Sequence, residues 1–232
     1  MSINPKLVVI IVPVSCFIEP VVDDSLRKLE SRGFTIWRKY GFSAIDQGRC
    51  ILAQEALDLN FEYLFWIDSD ISFWEYDVDK LLNSGKTFIT APYSVKGYPA
   101  LTTKFINKGL IHLGTNGRLE KVEFAATGFM CTHRTVYDKI VKRFNMTKVK
   151  IWGGQYEVFP FFLPLVYENH YLGEDFAFCY RARKAGIELF SDTTVKLSHI
   201  GKYEYGFNFL NYGLDKQLNE IIYFEKENKS YS

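Results

Sequence analysis

The sequence predicts an α/β protein built on a mixed central sheet flanked by helices, and three observations carry that expectation. Leu7-Val-Val-Ile-Ile-Val-Pro-Val14 and Tyr63-Leu-Phe-Trp-Ile67 are unbroken apolar runs of the kind found in strands buried on both faces. From the first run to the second the pattern alternates strand, helix, strand, helix, strand, the order of a parallel sheet with crossover helices. Beyond Leu101 the segments shorten and alternate, around Thr103-Lys-Phe-Ile106 and Val122-Glu-Phe-Ala125, which fits antiparallel strands with turns at Gly114 and Asn116-Gly117.

Taken in order, Asp23, Asp24 and Ser25 are start signals for a helix that carries Leu26 and Leu29 and stops at Gly33. Thr35–Tyr40 reads as the second strand. Ala44–Leu59 has helical apolar spacing through Ile45, Cys50, Leu52, Ala53, Ala56 and Leu57. After the Tyr63–Ile67 strand come a short helix over Val78–Asn83 and a strand at Phe88–Ala91. Arg134–Phe144 predicts a helix and Val149–Val166 an aromatic loop region. Glu174–Lys184 predicts a helix ended by Gly186, Ile187–Leu197 a strand, and Leu214–Lys226 a last helix. No repeat or composition break marks a second domain, so residues 1–232 are read as one domain.

Composition narrows the function classes. Lys plus Arg total 28 against 27 for Asp plus Glu, which gives no general field to attract nucleic acid or an anionic membrane. An anionic ligand must therefore be held locally. Cys16, Cys50, Cys131 and Cys179 lack the paired spacing of a zinc or redox motif and fit a reduced compartment, so the expected location is the cytoplasm, of a host cell if the source is viral. The Leu7–Val14 run is too short to cross a bilayer, and no integral membrane segment is expected. The 20 Phe, 15 Tyr and 4 Trp permit sugar or base stacking, although core packing accounts for many of them.

Three constellations carry candidate chemistry. Asp68-Ser69-Asp70 closes an apolar strand. In extended backbone, residues two apart share a face, so both carboxylates can aim at one point beyond the sheet edge, where open α/β sheets place ligands. Two such carboxylates repel, and a hard divalent cation relieves the conflict; an acidic turn after a strand is the plainer alternative. Gly173-Glu174-Asp175 opens a helix. Acids are favoured there by the helix dipole alone, but either could be a general base, and the dipole should lower its pKa and keep it ionised. His199, just past the last predicted strand, is either structural or a third metal ligand.

Together these features form an ordered set. Ile10-Ile-Val-Pro13, Asp46-Gln-Gly-Arg49, Leu64-Phe-Trp-Ile-Asp-Ser-Asp70, Ala126-Thr-Gly-Phe-Met-Cys-Thr-His-Arg134, Gly173-Glu-Asp175 with Arg181 and Gly186, and His199 follow one another along most of the chain. In this order the sequence resembles the inverting glycosyltransferases of the GT-A fold, a family with many bacterial and viral members. The resemblance implies a nucleotide-binding half (1–100) and a donor-sugar and acceptor half (101–232). It implies that Pro13, Val14, Ser15, Asp46 and Arg49 hold the nucleotide, with Asp68, Ser69 and Asp70 beside it. By the same resemblance Asp70, Asp68 and His199 would form the metal set for manganese or magnesium, Asp70 as direct ligand and Asp68 toward ribose or metal-bound water. The resemblance further implies that Thr127 and Gly128 border the donor sugar, that Asp175 is the base and that Glu174 orients hydroxyls. The implied reaction moves a sugar from a UDP-type donor to a glycan or glycoconjugate acceptor with inversion.

Alternatives are an inactive nucleotide-sugar-binding homologue and a retaining transferase on the same fold. A nucleotidyltransferase is disfavoured because no Gly-rich, Lys/Arg-bearing phosphate loop follows Pro13.

Overall fold

A computed structural model describes residues 3–107, 109–210 and 220–225. The first half runs β1 (Val8–Val14), α1 (Pro20–Ser31), β2 (Thr35–Tyr40), α2 (Ile45–Asp58), β3 (Tyr63–Ile67), β4 (Ile71–Ser72), α3 (Glu75–Leu82) and β5 (Phe88–Thr90). Next come β6 (Thr103–Phe105), β7 (Gly109–Gly114), β8 (Leu119–Ala125), β9 (Phe129–His133), α4 (Arg134–Phe144), β10 (Val149–Ile151), β11 (Tyr156–Val158), β12 (Leu165–Tyr167) and β13 (His170–Leu172). The order closes with α5 (Glu174–Lys184), β14 (Phe190–Asp192), β15 (Ser198–Ile200), β16 (Glu204–Tyr205) and β17 (Glu220–Glu225).

The central sheet has eight strands in the order β2-β1-β3-β9-β5-β14-β8-β6, and it is mixed, as expected. Strands β2, β1 and β3 are parallel, and β9 runs antiparallel between β3 and β5. Every residue of β1 is buried, because helices cover both faces. The two-residue alternation of a strand divides these side chains between two cores. Val8, Ile10, Val12, Phe65 and Ile67 pack with Leu26 and Leu29 of α1 and Val78 and Leu81 of α3. Val9, Ile11, Leu64 and Trp66 pack on the other face with Ile51 and Leu52 of α2, Val136 and Ile140 of α4, and Phe178 of α5. At about 1.5–3 kcal/mol for each fully buried large apolar side chain, these cores hold the strand ends that carry the candidate site in place.

Several expectations are corrected. Helix α1 begins at Pro20, not at Asp23, because proline suits the first helical position, where its missing N–H costs nothing. Helix α3 begins at Glu75, with the Asp77 carboxylate accepting the Trp74 amide at 3.2 Å. The aromatic region at Val149–Val166 contains β10 and β11, paired as a hairpin, and the first residues of a second hairpin, β12 with β13. The strand expected over Ile187–Leu197 is only Phe190–Asp192, since the Asp192 carboxylate captures the Thr194 amide (2.9 Å) and hydroxyl (2.7 Å) and turns the chain. That turn sends β15 out of the main sheet to pair with β4. Strand β9 was not anticipated. The helix expected over Leu214–Lys226 is contradicted at Glu220–Glu225, which pairs antiparallel with β7, and its other residues lie outside the described residues. Ile221-Ile-Tyr-Phe224 is β-branched and aromatic, a composition that a sheet edge recruits over a short helical period.

Among the described residues no helix is long and apolar enough to cross a membrane.

Candidate active site

The site is assembled at the carboxyl ends of β1 and β3. Strand β3 stops at Ile67 because the chain turns: the Asp68 amide donates to the Gly128 carbonyl (3.0 Å) and the Ile71 amide to the Asp68 carbonyl (3.1 Å). That turn breaks the two-residue alternation expected of Asp68 and Asp70, so the carboxylates engage different partners. Asp68 accepts from Arg49 Nη2 at 2.7 Å. Asp70 Oδ2 lies 2.5 Å from Lys96 Nζ and 3.6 Å from His199 Nε2. Burial pushes the Asp70 carboxyl up, but hydrogen bonding and charge from His199 and Lys96 outweigh it and hold the group below the usual carboxylate range.

His199 reaches Asp70 through the ladder between β15 and β4, in which it faces Ile71. Its Nδ1 is 3.0 Å from the Ser94 carbonyl, an acceptor only, so Nδ1 carries the proton and donates. Nε2 faces Asp70: with a proton it donates to the carboxylate, and without one it offers its lone pair to a cation. Asp70 and His199 thus present one oxygen and one nitrogen that could serve a divalent cation, and the Lys96 ammonium already occupies a cation position there. Asp68 stands apart, held by Arg49. Among the described residues, no group of three or more His, Cys, Asp and Glu side chains is gathered to hold a metal ion.

Arg49 joins the second constellation to the first. It projects from α2 into a buried position, its guanidinium 5.5 Å from the Trp66 ring centroid and its Nε 3.7 Å from Glu174 Oε1. Its Nε and Nη1 have no hydrogen-bond partner. Arg49 therefore sits beneath the acids and bridges Asp68 to Glu174.

Asp175, in the first turn of α5, accepts from the Phe176 amide at 2.7 Å. The expected lowering of its pKa is reversed. Burial, then the charge of Glu174, push the carboxyl up to about 6, against the Phe176 amide and Arg49. Desolvation outweighs the helix end because the side chain is partly buried beside other acids. Gly173 caps α5 in extended backbone, and a Cβ there would meet only Asp175 Oδ1 at 3.5 Å, ordinary contact.

The other expected residues are distributed around this point. Pro13 and Val14 are buried and Ser15 exposed at the end of β1, and the segment after them is tied to the Asp68–Asp70 turn by the Glu19 amide donating to the Ser69 carbonyl (2.9 Å). Asp46 instead lines a cavity of about 250 Å³ with Gln47, Lys150 and Trp152, a cavity that Arg49, Asp68, Asp70 and Asp175 do not line. Thr127 is buried beside Gly128. A Cβ on Gly128 would lie 2.3 Å from Tyr93 Oη and 3.0 Å from Asp68 Oδ2, so the protein's own atoms demand glycine there. Gly128→Ala is expected to cost about 1–3 kcal/mol of stability by overpacking, measurable by urea denaturation. An unchanged midpoint would refute this close packing.

Tyr93, Ser94 and Lys96 were missed from sequence. The Tyr93 hydroxyl accepts from the Gly128 amide (3.2 Å) and its ring meets His199 edge-on at 5.3 Å. No local motif distinguishes these three residues; only their position just after β5 could have pointed to them.

A197 from STIV has this fold. Its crystal structure aligns over 95% of this chain and 94% of its own with a TM-score of 0.58 at 13% identity. A glycosyltransferase involved in the glycosylation of the major capsid of PBCV-1 aligns over 56% of this chain and 62% of its own, with a TM-score of 0.32 at 13% identity. No family model and no curated protein matches the sequence.

Proposed function

We propose that the chain is a glycosyltransferase that moves a sugar from a nucleoside-diphosphate donor, of the UDP type, to an acceptor hydroxyl with inversion. The observation that carries this reading is the convergence, at one end of the sheet, of Asp70 with His199 and of Asp68 with Arg49, Glu174 and Asp175. The former pair suits a divalent ion and a diphosphate; the latter provides a carboxylate of raised pKa where a hydroxyl must lose its proton.

Asp175 takes the acceptor proton as the acceptor oxygen bonds to the anomeric carbon. Its pKa of about 6 keeps it ionised at neutral pH yet more basic than an ordinary carboxylate. Glu174 orients sugar hydroxyls, and Arg49 holds Asp68 and Glu174 in place. Asp68 faces ribose or metal-bound water. A divalent cation at Asp70 and His199 would supply Lewis-acid neutralisation of the leaving diphosphate. Thr127 and Gly128 border the sugar.

The test is a screen of nucleotide sugars with manganese, following release of the nucleoside diphosphate, and NMR of the product's anomeric proton. Turnover with inverted configuration is expected. Retained configuration would exclude the single displacement, and no release from any donor would exclude the transferase. An inactive donor-binding homologue would bind UDP without turnover.

A further inference from the structure

The hairpin from Ser94 to Leu101 delivers two groups to the candidate metal position. It is closed by the Ser94–Leu101 bridge and by the Val95 amide donating to the Ala100 carbonyl (2.8 Å). Its base is fixed where the Thr102 amide donates to the Tyr93 carbonyl (3.0 Å). Ser94 orients His199 through its carbonyl, and two residues on, Lys96 lays its stem over Gly201, where an added Cβ would come within 3.2 Å of Lys96 Cδ. The Lys96 ammonium meets the same Asp70 oxygen that faces His199. The glycine beneath it leaves the four-carbon stem room that a side chain would take, whereas Ser94 is held by its bridge to Leu101 and His199 by the ladder between β15 and β4.

We propose that Lys96 is a catalytic residue of the transfer, neutralising Asp70 while no donor is bound and moving onto the diphosphate of the bound donor. This rests on the transferase reading above. As the acceptor oxygen bonds to the anomeric carbon and Asp175 takes its proton, the bond from that carbon to the diphosphate oxygen breaks. The electron pair stays on the diphosphate, beside the Lys96 ammonium. In the free protein the same ammonium competes with a divalent ion for Asp70, so its removal has opposite effects on the two ligands. A purely structural lysine would not produce that split.

The test uses the full chain with Lys96→Met, which keeps the stem, and Lys96→Arg, with folding checked by circular dichroism. Manganese binding without nucleotide is read by electron paramagnetic resonance, and UDP binding with manganese by calorimetry. Relative to the parent, Lys96→Met is expected to bind manganese more tightly and UDP roughly tenfold more weakly, the loss of one charge-assisted contact, with Lys96→Arg restoring most of the UDP affinity. A folded Lys96→Met with parental UDP affinity overturns the proposal, whatever its manganese affinity, and leaves the transferase reading standing. A parent chain that binds UDP neither with nor without manganese overturns both.

Discussion

Asp175→Asn is expected to lower turnover by about two to four powers of ten while leaving donor affinity nearly intact, the size typical of a positioned general base. Asparagine keeps the volume and can still accept the Phe176 amide, so the loss would isolate the proton-accepting function. In the parent, turnover should fall as pH drops through about 6, where Asp175 takes up a proton and ceases to be a base. The same group makes a stability prediction of opposite sense. Its folded pKa of about 6 lies above the ordinary 3.8, so its contribution to stability is fully present below 3.8 and lost as pH rises through about 6. Above that, the buried charge costs on the order of 2–3 kcal/mol. Asp175→Asn should therefore be more stable than the parent at pH 7.5 and indistinguishable from it at pH 3.5, by urea denaturation. Near-parental turnover, or no difference in stability at pH 7.5, would count against the assigned role.

The second large effect is expected at Asp70. Partners that merely orient a metal ligand are typically worth about ten- to a hundredfold in metal affinity, so removing the carboxylate proposed to meet the ion should cost at least that. Asp70→Ala should lose the manganese-dependent part of UDP binding by calorimetry, and His199→Ala should lose a smaller share, because the negatively charged oxygen donor remains. Arg49 gives the contrast: its replacement should disturb the whole fold of the site, since it leaves Asp68 and Glu174 without the guanidinium between them. If Asp70→Ala binds UDP and manganese as the parent does, the metal position has been misassigned.

Much of the frame was legible along the chain because it depends on local pattern. The unbroken β-branched run of β1 and the apolar run of β3 demand burial on both faces, and the spacing through Cys50, Leu52, Ala53 and Ala56 demands a helix, whatever else the chain does. Asp68, Asp70, Glu174, Asp175 and His199 could be marked as candidates because each follows or opens such an element.

Which of them meet was decided only in three dimensions. The register of β9 on β3 brings Gly128 against Asp68, Tyr93 packing onto it makes it an obligatory glycine, and the β15–β4 ladder sets His199 at Asp70. Arg49 was marked as a nucleotide contact, yet burial beside Trp66 makes it the link between acids 106 positions apart in the chain, Asp68 and Glu174. The pKa of Asp175 shows the division most clearly. Its place at a helix start, visible in the sequence, argues for a lowered value. Its desolvation among other acids exists only after long-range packing, and that larger effect sets the sign. Sequence thus determined the elements and the chemical inventory, because these depend on neighbours a few positions away. Tertiary structure decided pairing, burial and basicity, because those depend on groups that only the folded sheet brings into contact.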